Sequence, residues 1–257
     1  MVKGLYTAYT GMLHQQNRMD VLTNNLANSA TVGFKKEGST SQSFDDVLAL
    51  RIKDASDSVR AKAIGTMNLG VKIGENYTDY SQGAFRVTDN TFDLALSGNG
   101  FFACEYTNKS GETSVKYTRD GSFTLNVKGE LVTKDGDFVL DSAGRHIVLD
   151  PLQTANIDQM GNIQQGGRTV AQIQVTDFAD YNYLEHYGET YFRTIDGAQT
   201  KAADAKVFSG YLEQSNVTVV NEMVELISVS RNYETNQKMI QSIDSTLDIA
   251  ANQLGKI

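Results

Sequence analysis

The carboxy-terminal part of the chain carries an apolar heptad pattern, with positions at alternating spacings of three and four. The pattern runs through Leu226, Val229, Tyr233, Asn236, Ile240, Ile243, Leu247, Ala250, Leu254 and Ile257. Asn236 is its polar member. Such a pattern is typical of a coiled-coil seam. It constrains the fold because a helix of this kind needs a second apolar surface along its length.

A shorter pattern of the same kind lies near the amino terminus. It runs through Leu5, Tyr9, Met12, Gln16, Met19, Thr23 and Leu26. Gln16 and Thr23 interrupt its apolar character. We predict two long helices, over residues 3–28 and 217–254, whose seams form a coiled-coil-like core from the two ends of the chain.

Apolar residues also lie away from the two seams, on the flanking faces of the predicted helices. These residues are Leu13, Val21, Leu22, Met223, Val224 and Ile227. An intramolecular helix pair would explain the seams alone, but it would leave the flanking residues uncovered. Apolar residues on several sides of a helix indicate several neighbours, so we expect the ends to pack against copies or relatives of this protein.

The middle of the chain changes to a period of two. Phe123, Leu125 and Val127 alternate with polar residues, and glycine-containing turns divide the following runs. This pattern predicts short antiparallel strands joined as a meander. The predicted fold class is therefore α+β, with a β-rich middle domain over 71–195 inserted between terminal helices.

The remaining boundaries follow from the same change of pattern. Residues 1–35 and 215–257 form the predicted discontinuous helical core, and residues 36–70 and 196–214 form linking segments. The segment 36–70 is rich in Ser, Asp and Lys, so we expect it to have little core of its own.

Composition excludes several classes of protein. The 31 acidic and 23 basic residues give a net charge of -8, which disfavours a nucleic-acid partner. The single cysteine, Cys104, rules out an intramolecular disulfide and a multi-cysteine metal site, and its apolar surroundings predict a small core residue. No run of eighteen apolar residues is present, so we expect no membrane insertion. The first residues also lack the apolar stretch of a cleaved signal peptide.

Signals of catalysis are weak, and we expect neither an enzyme nor a bound metal or cofactor. His14, His146 and His186 show no paired metal-ligand spacing. Gly98-Asn99-Gly100 lacks the further glycine and lysine of a phosphate-binding loop, and Asp135-Gly136-Asp137 is explained by a hairpin turn.

Two other classes of function stay open at this point. A β-rich enzyme would need Asp120, Arg119 and His146 in one cleft. A carbohydrate-binding module would need a platform of tyrosines, for which the candidates are Tyr181, Tyr183, Tyr187 and Tyr191.

Specific motifs carry a family resemblance. They include Asn24-Asn25-Leu26-Ala27-Asn28, Thr31, Gly33-Phe34-Lys35, Gly98-Asn99-Gly100-Phe101-Phe102, Tyr117-Thr118-Arg119-Asp120-Gly121 and Gly210-Tyr211-Leu212-Glu213-Gln214-Ser215-Asn216. Together they resemble the flagellar basal-body rod and hook family of bacteria across nearly the whole chain. The chain departs from the family at Asn90-Thr91-Phe92-Asp93, where a proline often precedes the Leu-Asp pair.

The resemblance implies a structural subunit of the flagellar rod, the hollow helical drive shaft that carries torque to the hook. It implies homo-oligomerisation in a helical assembly, contact with other rod and hook proteins, and export through the flagellar type III apparatus without a cleaved signal. It places the protein in the basal body, outside the cytoplasm and within the cell envelope. Proximal and distal rod types, and a short hook-type protein, stay open alternatives.

Two sets of site residues follow from these arguments. The predicted assembly interface comprises Leu5, Tyr9, Met12, Met19, Leu26, Leu226, Val229, Tyr233, Asn236, Ile240, Ile243, Leu247 and Leu254. The predicted family-motif corner comprises Asn24, Asn25, Ala27, Asn28, Gly33, Phe34 and Lys35. In the corner, we expect asparagine amides to satisfy helix-end carbonyls and Gly33 to permit a turn. The resemblance adds contact with neighbouring subunits.

Overall fold

A computed structural model describes residues 2–52, 61–108 and 111–252. Contacts divide the chain into two compact units. The first comprises Met1–Ala27, Glu37–Asp79 and Thr218–Ile257, and the second comprises Asn28–Lys36 and Tyr80–Val217.

The first unit contains two helices and four strands in its described part. The helices are α1 (Val2–Ala27) and α2 (Val219–Asn252). The strands are β1 (Glu37–Ser43), β2 (Val47–Ile52), β3 (Ala61–Met67) and β4 (Val71–Thr78). β1 pairs antiparallel with β4, and β2 pairs antiparallel with β3. α1 packs against α2, β1 and β4.

The two helices run antiparallel within this unit. Gly11 lies against the Asn236 side chain and Gly4 lies against Ile243. Nearer the other end of the pair, Arg18 forms an ion pair with Glu225.

The prediction that the helices form a coiled-coil core is wrong for the described chain. A coiled coil buries its seam, but among the predicted seam residues of α2 that are described, Val229 alone is buried, at 1% exposed. On α1, Tyr9 is exposed, and the buried residues are instead Ala8, His14, Val21, Leu22 and Asn25. Leu254 and Ile257 lie outside the described residues.

The physical reason is that strands, as well as a second helix, cover α1. The Thr7 hydroxyl donates to the Leu69 carbonyl at 3.4 Å, and Thr10 contacts Gly70. His14 faces an apolar groove with Phe44 and Val71. Counting apolar spacings finds one stripe only, so it misses buried positions occupied by small or polar side chains.

The second unit contains a short 3-10 helix, Tyr181–Tyr183, and sixteen described strands. The strands are β5 (Phe85–Val87), β6 (Leu94–Gly98), β7 (Phe101–Thr107), β8 (Thr113–Thr118), β9 (Thr124–Leu125), β10 (Leu131–Val132), β11 (Phe138–Val139), β12 (Ala155–Ile157), β13 (Asn162–Gln165), β14 (Arg168–Gln172), β15 (Val175–Phe178), β16 (Leu184–Tyr187), β17 (Tyr191–Thr194), β18 (Thr200–Ala202), β19 (Ala205–Ser209) and β20 (Tyr211–Glu213).

These strands are antiparallel but do not form a simple meander. The main sheet has the order β16-β17-β8-β7-β11-β10-β9, and β15 joins β7 to β18. Smaller sheets pair β12-β13-β14, β6-β19 and β5-β20. A large antiparallel β-rich middle is consistent with the predicted inserted β domain.

β7 is the best buried strand of the main sheet because both of its faces are covered. Phe102 and Cys104 belong to one hydrophobic core, and Phe101 and Ala103 belong to another. A strand covered on both faces reads as a continuous apolar run, not as an alternation. The buried, unpaired Cys104 confirms the prediction of a small core residue.

Neither described helix is both long and apolar enough to cross a membrane.

Replacing Phe102 by alanine is expected to destabilise the second unit by about 3–5 kcal/mol, because it leaves a cavity in a packed core. The Phe102 side chain is fully buried and meets the Phe123 ring edge-to-face at a centroid distance of 5.1 Å. Urea unfolding followed by tyrosine fluorescence measures the change. Val127→Ala is the control, because Val127 is fully exposed and its loss should change stability by less than about 0.5 kcal/mol.

The first unit should lose stability in mild acid because of His14. Burial, and then the nearby positive charge of Arg18, lower the pKa of His14 from its ordinary value of 6.5. The unfolded chain therefore binds a proton at a higher pH than the folded chain does, so the free energy of unfolding falls as the pH drops below about 6.5. His14→Gln should make helix unfolding, followed by circular dichroism, less dependent on pH. An equal pH dependence in that variant would contradict the assignment.

Candidate functional site: a buried ionic cluster and an apolar helix surface

A cluster of charged side chains lies buried in the second unit. Lys35, Arg119 and Glu213 are 1%, 3% and 0% exposed. The Glu213 carboxylate accepts a bond from Lys35 Nζ at 2.6 Å through Oε1, and one from Arg119 at 3.2 Å through Oε2. The Gly83 N–H also donates to Oε1, at 3.0 Å. One carboxylate therefore holds two cations away from solvent.

Both cations also donate hydrogen bonds to backbone carbonyls. Lys35 Nζ donates to the Ser81 carbonyl at 2.7 Å, and Arg119 donates to the Gly98 carbonyl at 2.8 Å. The guanidinium also lies 5.2 Å from the centroid of the Phe101 ring, within cation–π range. Within the described part of the chain, Arg119 Nε has no hydrogen-bond partner. The other hydrogen bonds of the two cations offset the cost of removing their charges from water.

The cluster joins three of the motifs that carry the family resemblance. The Gly33 N–H donates to the Glu213 backbone carbonyl at 2.8 Å. Gly33 has a φ of +71°, and a Cβ atom there would lie 2.4 Å from the backbone nitrogen of Asp120. Glycine is therefore required at this position for both conformation and space. Lys35, two residues after Gly33, donates to the side-chain carboxylate of Glu213.

The structure divides the predicted family-motif corner between the two units. Asn25 lies in the first unit, where its side-chain amide pairs with the backbone of Glu37: Nδ2 donates to the carbonyl at 2.7 Å, and Oδ1 accepts from the N–H at 2.9 Å. Nδ2 also lies 3.3 Å from the Glu222 carboxylate. Asn25 thus joins the end of α1 to the starts of β1 and α2, where the sequence predicted a helix-end carbonyl as its partner.

The other members of the corner are distributed as follows. Asn24 and Ala27 are exposed on α1. Asn28 lies in the second unit, where its side-chain oxygen accepts from the Thr31 hydroxyl at 3.2 Å. Phe34 is buried in the second unit, with its ring edge-to-face on His186.

An apolar stripe is exposed on the amino-terminal half of α2. Val220, Met223, Val224 and Ile227 are 68%, 48%, 63% and 51% exposed. Their spacings of three and four place them on one side of the helix. That side lies opposite the buried Val229, so this part of α2 is apolar on two faces. The stripe is not part of the predicted interface: Met223, Val224 and Ile227 are among the predicted flanking positions, and the structure adds Val220.

Among the predicted interface residues, Asn236 and Ile243 lie against Gly11 and Gly4 of α1. Leu5, Met12, Met19, Leu26, Leu226, Tyr233, Asn236, Ile240 and Ile243 are half-buried, and Tyr9 and Leu247 are exposed. Leu5, Tyr6, Tyr9 and Ile240 line a shallow depression of about 270 Å³. The helix pair alone therefore leaves much of its apolar surface in water.

The alternative enzyme constellation is not assembled. The Arg119 guanidinium is used in the buried cluster, and Asp120 Oδ1 accepts bonds from Ser122 N and Oγ at 2.9 and 2.6 Å. His146 is exposed, with its ring stacked on Phe138 and Nε2 2.9 Å from the Glu105 carboxylate. The described residues contain no group of three or more His, Cys, Asp or Glu that could hold a metal ion.

The four candidate tyrosines do not form a platform. Burial and a hydrogen bond to Asp177 raise the pKa of Tyr181 to about 12, and its ring packs on a hydrophobic core. Tyr191 is buried, and its hydroxyl donates to Asp137 at 2.8 Å.

Three family profiles match separate parts of the chain. The profile described as flagella basal body rod protein matches residues 5–35, the flagellar hook protein FlgE/F/G D1 domain matches 95–165, and the flagellar basal body rod FlgEFG protein C-terminal domain matches 209–254. The three matches include the motifs that meet at the ionic cluster and both helices.

Relatives match over nearly the full length. The flagellar basal-body rod protein FlgF of Caulobacter vibrioides is 33% identical over 100% of both chains, and FlgG of the same organism is 34% identical over 98% of this chain and 99% of its own. The flagellar hook-basal body complex protein FlhO of Bacillus subtilis is 32% identical over 100% of both.

The profile matches and the full-length relatives define the class of this chain as a structural protein. The chain belongs to the family of bacterial flagellar basal-body rod proteins. Three predictions are confirmed: the family, the role as a structural component of the basal-body rod, and a protein that is not an enzyme.

Replacing Glu213 by glutamine is expected to destabilise the second unit by about 3–5 kcal/mol, because Lys35 and Arg119 would stay buried without a counter-charge. Urea unfolding measures the loss. The matched control is Glu189→Gln, because Glu189 is exposed in the turn between β16 and β17. A loss below about 1 kcal/mol for Glu213→Gln, which is the range of a surface pair, would contradict this account of the cluster.

Proposed function

We propose that this chain polymerises through α1 and α2 into the hollow helical drive shaft of the flagellum, which transmits torque to the hook. Its partners are copies of itself and other rod and hook proteins. The observation that carries the proposal is the apolar stripe of α2, formed by Val220, Met223, Val224 and Ile227, on the side of the helix opposite the one packed on α1.

The energetics of the stripe support an assembly contact. Burying a side chain of this size stabilises a contact by about 1.5–3 kcal/mol relative to leaving it in water. Contiguous exposed apolar residues on a helix are typical of a surface that is covered in an assembly. A stripe and a depression at different places on one helix pair can also meet head to tail, and such a contact builds an open helical polymer.

The proposed interface has two layers. Leu5, Met12, Met19, Leu26, Leu226, Val229, Tyr233, Asn236, Ile240, Ile243 and Leu247 lie along the helix pair, and Tyr9 lies beside its depression. We add the stripe residues as an outer layer that contacts neighbouring subunits. Leu254 belongs to the same proposed interface by its position in the heptad pattern.

We further propose that the protein is exported through the flagellar type III apparatus without a cleaved signal and functions outside the cytoplasm, within the cell envelope. The helix pair supports this route. A pair with so little buried apolar surface gains much of its stability on joining the polymer, so the terminal segments are easy to unfold before assembly.

Val224→Asp and Ile240→Asp are expected to lower incorporation into basal bodies by at least about tenfold. An unpaired carboxylate in an apolar contact costs more than the ~1.4 kcal/mol that corresponds to a tenfold change. Immunoblots of basal bodies isolated from cells that carry each variant as the only copy measure incorporation.

Asn232→Asp is the matched control, because Asn232 is an exposed polar residue of α2 that lies off the side of the helix that carries the stripe. Urea unfolding of the purified variants should show an unchanged transition for the second unit. Normal incorporation of Val224→Asp would exclude the stripe as a subunit contact, and normal incorporation of Ile240→Asp would exclude the helix pair.

A further inference from the structure

Two cations lie next to each other on one face of the main sheet. β17 pairs antiparallel with β8 through Tyr191–Thr118 and Phe192–Tyr117. Continuing this register by one residue places Arg193 opposite Lys116. Like charges directly opposite each other on adjacent strands are destabilising. This pair therefore needs a physical explanation.

Lys116 is unusually buried for a lysine, since it is only 4% exposed. Its ammonium lies over two tyrosine rings, 3.5 Å from the centroid of Tyr106 and 2.8 Å from that of Tyr187. Within the described part of the chain it forms no ion pair with a carboxylate. Burial lowers the pKa of Lys116, a hydrogen bond to Tyr187 and the negative charge of Asp137 oppose this shift, and the positive charge of Arg193 adds to it. The contacts of Lys116 thus supply two aromatic faces and a tyrosine hydroxyl, but no carboxylate within ion-pair distance in the described part of the chain.

Arg193 is paired with one carboxylate. It donates to Glu185 Oε2 from Nη2 at 2.6 Å and from Nε at 2.7 Å, and both side chains are about half exposed. An exposed pair of this kind contributes little and is screened by salt.

The two cations border an open concavity of about 760 Å³. Thr113, Ser114 and Thr194 also line it, and Tyr106 and Tyr187 form part of its wall. Glu112 is the acidic residue of its lining, and it is exposed. The lining therefore offers hydrogen-bond donors around two neighbouring positive charges.

We propose that this concavity is a binding site for an oxyanion, a carboxylate or phosphate group held between Lys116 and Arg193. An anion between the two side chains replaces their repulsion by two attractions, and the hydroxyl groups donate hydrogen bonds to its oxygens. The anion has two possible sources: a small ion in solution or an acidic side chain of a neighbouring protein in the assembled flagellum. The site is independent of the helix surfaces that carry the proposed function.

The first test titrates the purified full-length protein with inorganic phosphate and with acetate at constant ionic strength. Amide resonances of β8 and β17 should shift and saturate. Lys116→Met should weaken binding about tenfold, because a charge-assisted hydrogen bond is lost. Arg193→Met is the second variant, since its half-exposed side chain can be removed without disturbing the core, and it should weaken binding similarly.

Lys128→Met is the matched control, because Lys128 is an exposed lysine in the turn between β9 and β10. It should bind as the unsubstituted protein does. Tyr187 gives an independent readout. A hydrogen bond from Tyr106 and the adjacent Lys116 ammonium lower the pKa of Tyr187, so a bound anion should raise it towards its ordinary value.

The second test identifies the source of the anion. In isolated basal bodies, a carbodiimide should couple Lys116 to an acidic residue of a neighbouring protein if that residue fills the site. Saturable phosphate or acetate binding without this cross-link identifies a small ion. The proposal is overturned if shifts grow linearly with added salt, if Lys116→Met responds as the unsubstituted protein does, and if no cross-link forms.

Discussion

The buried carboxylate of Glu213 is the interaction on which the second unit depends. It neutralises Lys35, from the segment after α1, and Arg119, from the segment after β8, in a place with almost no solvent. Removing charges from water is costly, and the ion pairs and hydrogen bonds among the three groups offset that cost. The Gly33–Glu213 backbone bond, and the bond from Lys36 N to the Asn216 side chain at 2.7 Å, reinforce the same junction. The segments that follow α1 and precede α2 are therefore fixed side by side.

The helices of the first unit are packed differently. Its helices bury Ala8 and Asn25 along with Leu22 and Val229, and they leave apolar side chains such as Val220 and Val224 in water. A monomeric protein would gain stability by burying these exposed apolar side chains as well. The chain belongs to a family of rod proteins that assemble with other basal-body components, and the proposed subunit contact would cover these side chains.

How far the sequence could predict the structure differed between elements. The helices and the β-rich middle were accessible because periodicity reports directly on them. The coiled-coil core was not, because heptad counting cannot recognise that β1 and β4 cover part of α1, or that His14 and Asn25 are buried. The ionic cluster was equally hidden: Lys35, Arg119 and Glu213 each lie in a recognised motif, but no local pattern says that motifs so far apart in sequence meet.

The sequence by itself determined the family, the structural class of function and the presence of helices at both ends, because motifs and periodicity are local properties of the chain. The tertiary structure decided which face of each helix is covered, which charges are buried together and where Lys116 and Arg193 become neighbours. These depend on strand register and on contacts between distant segments. A shift of one residue in register would send every side chain of a strand to the other face, and the sequence pattern of a single strand does not specify its partner.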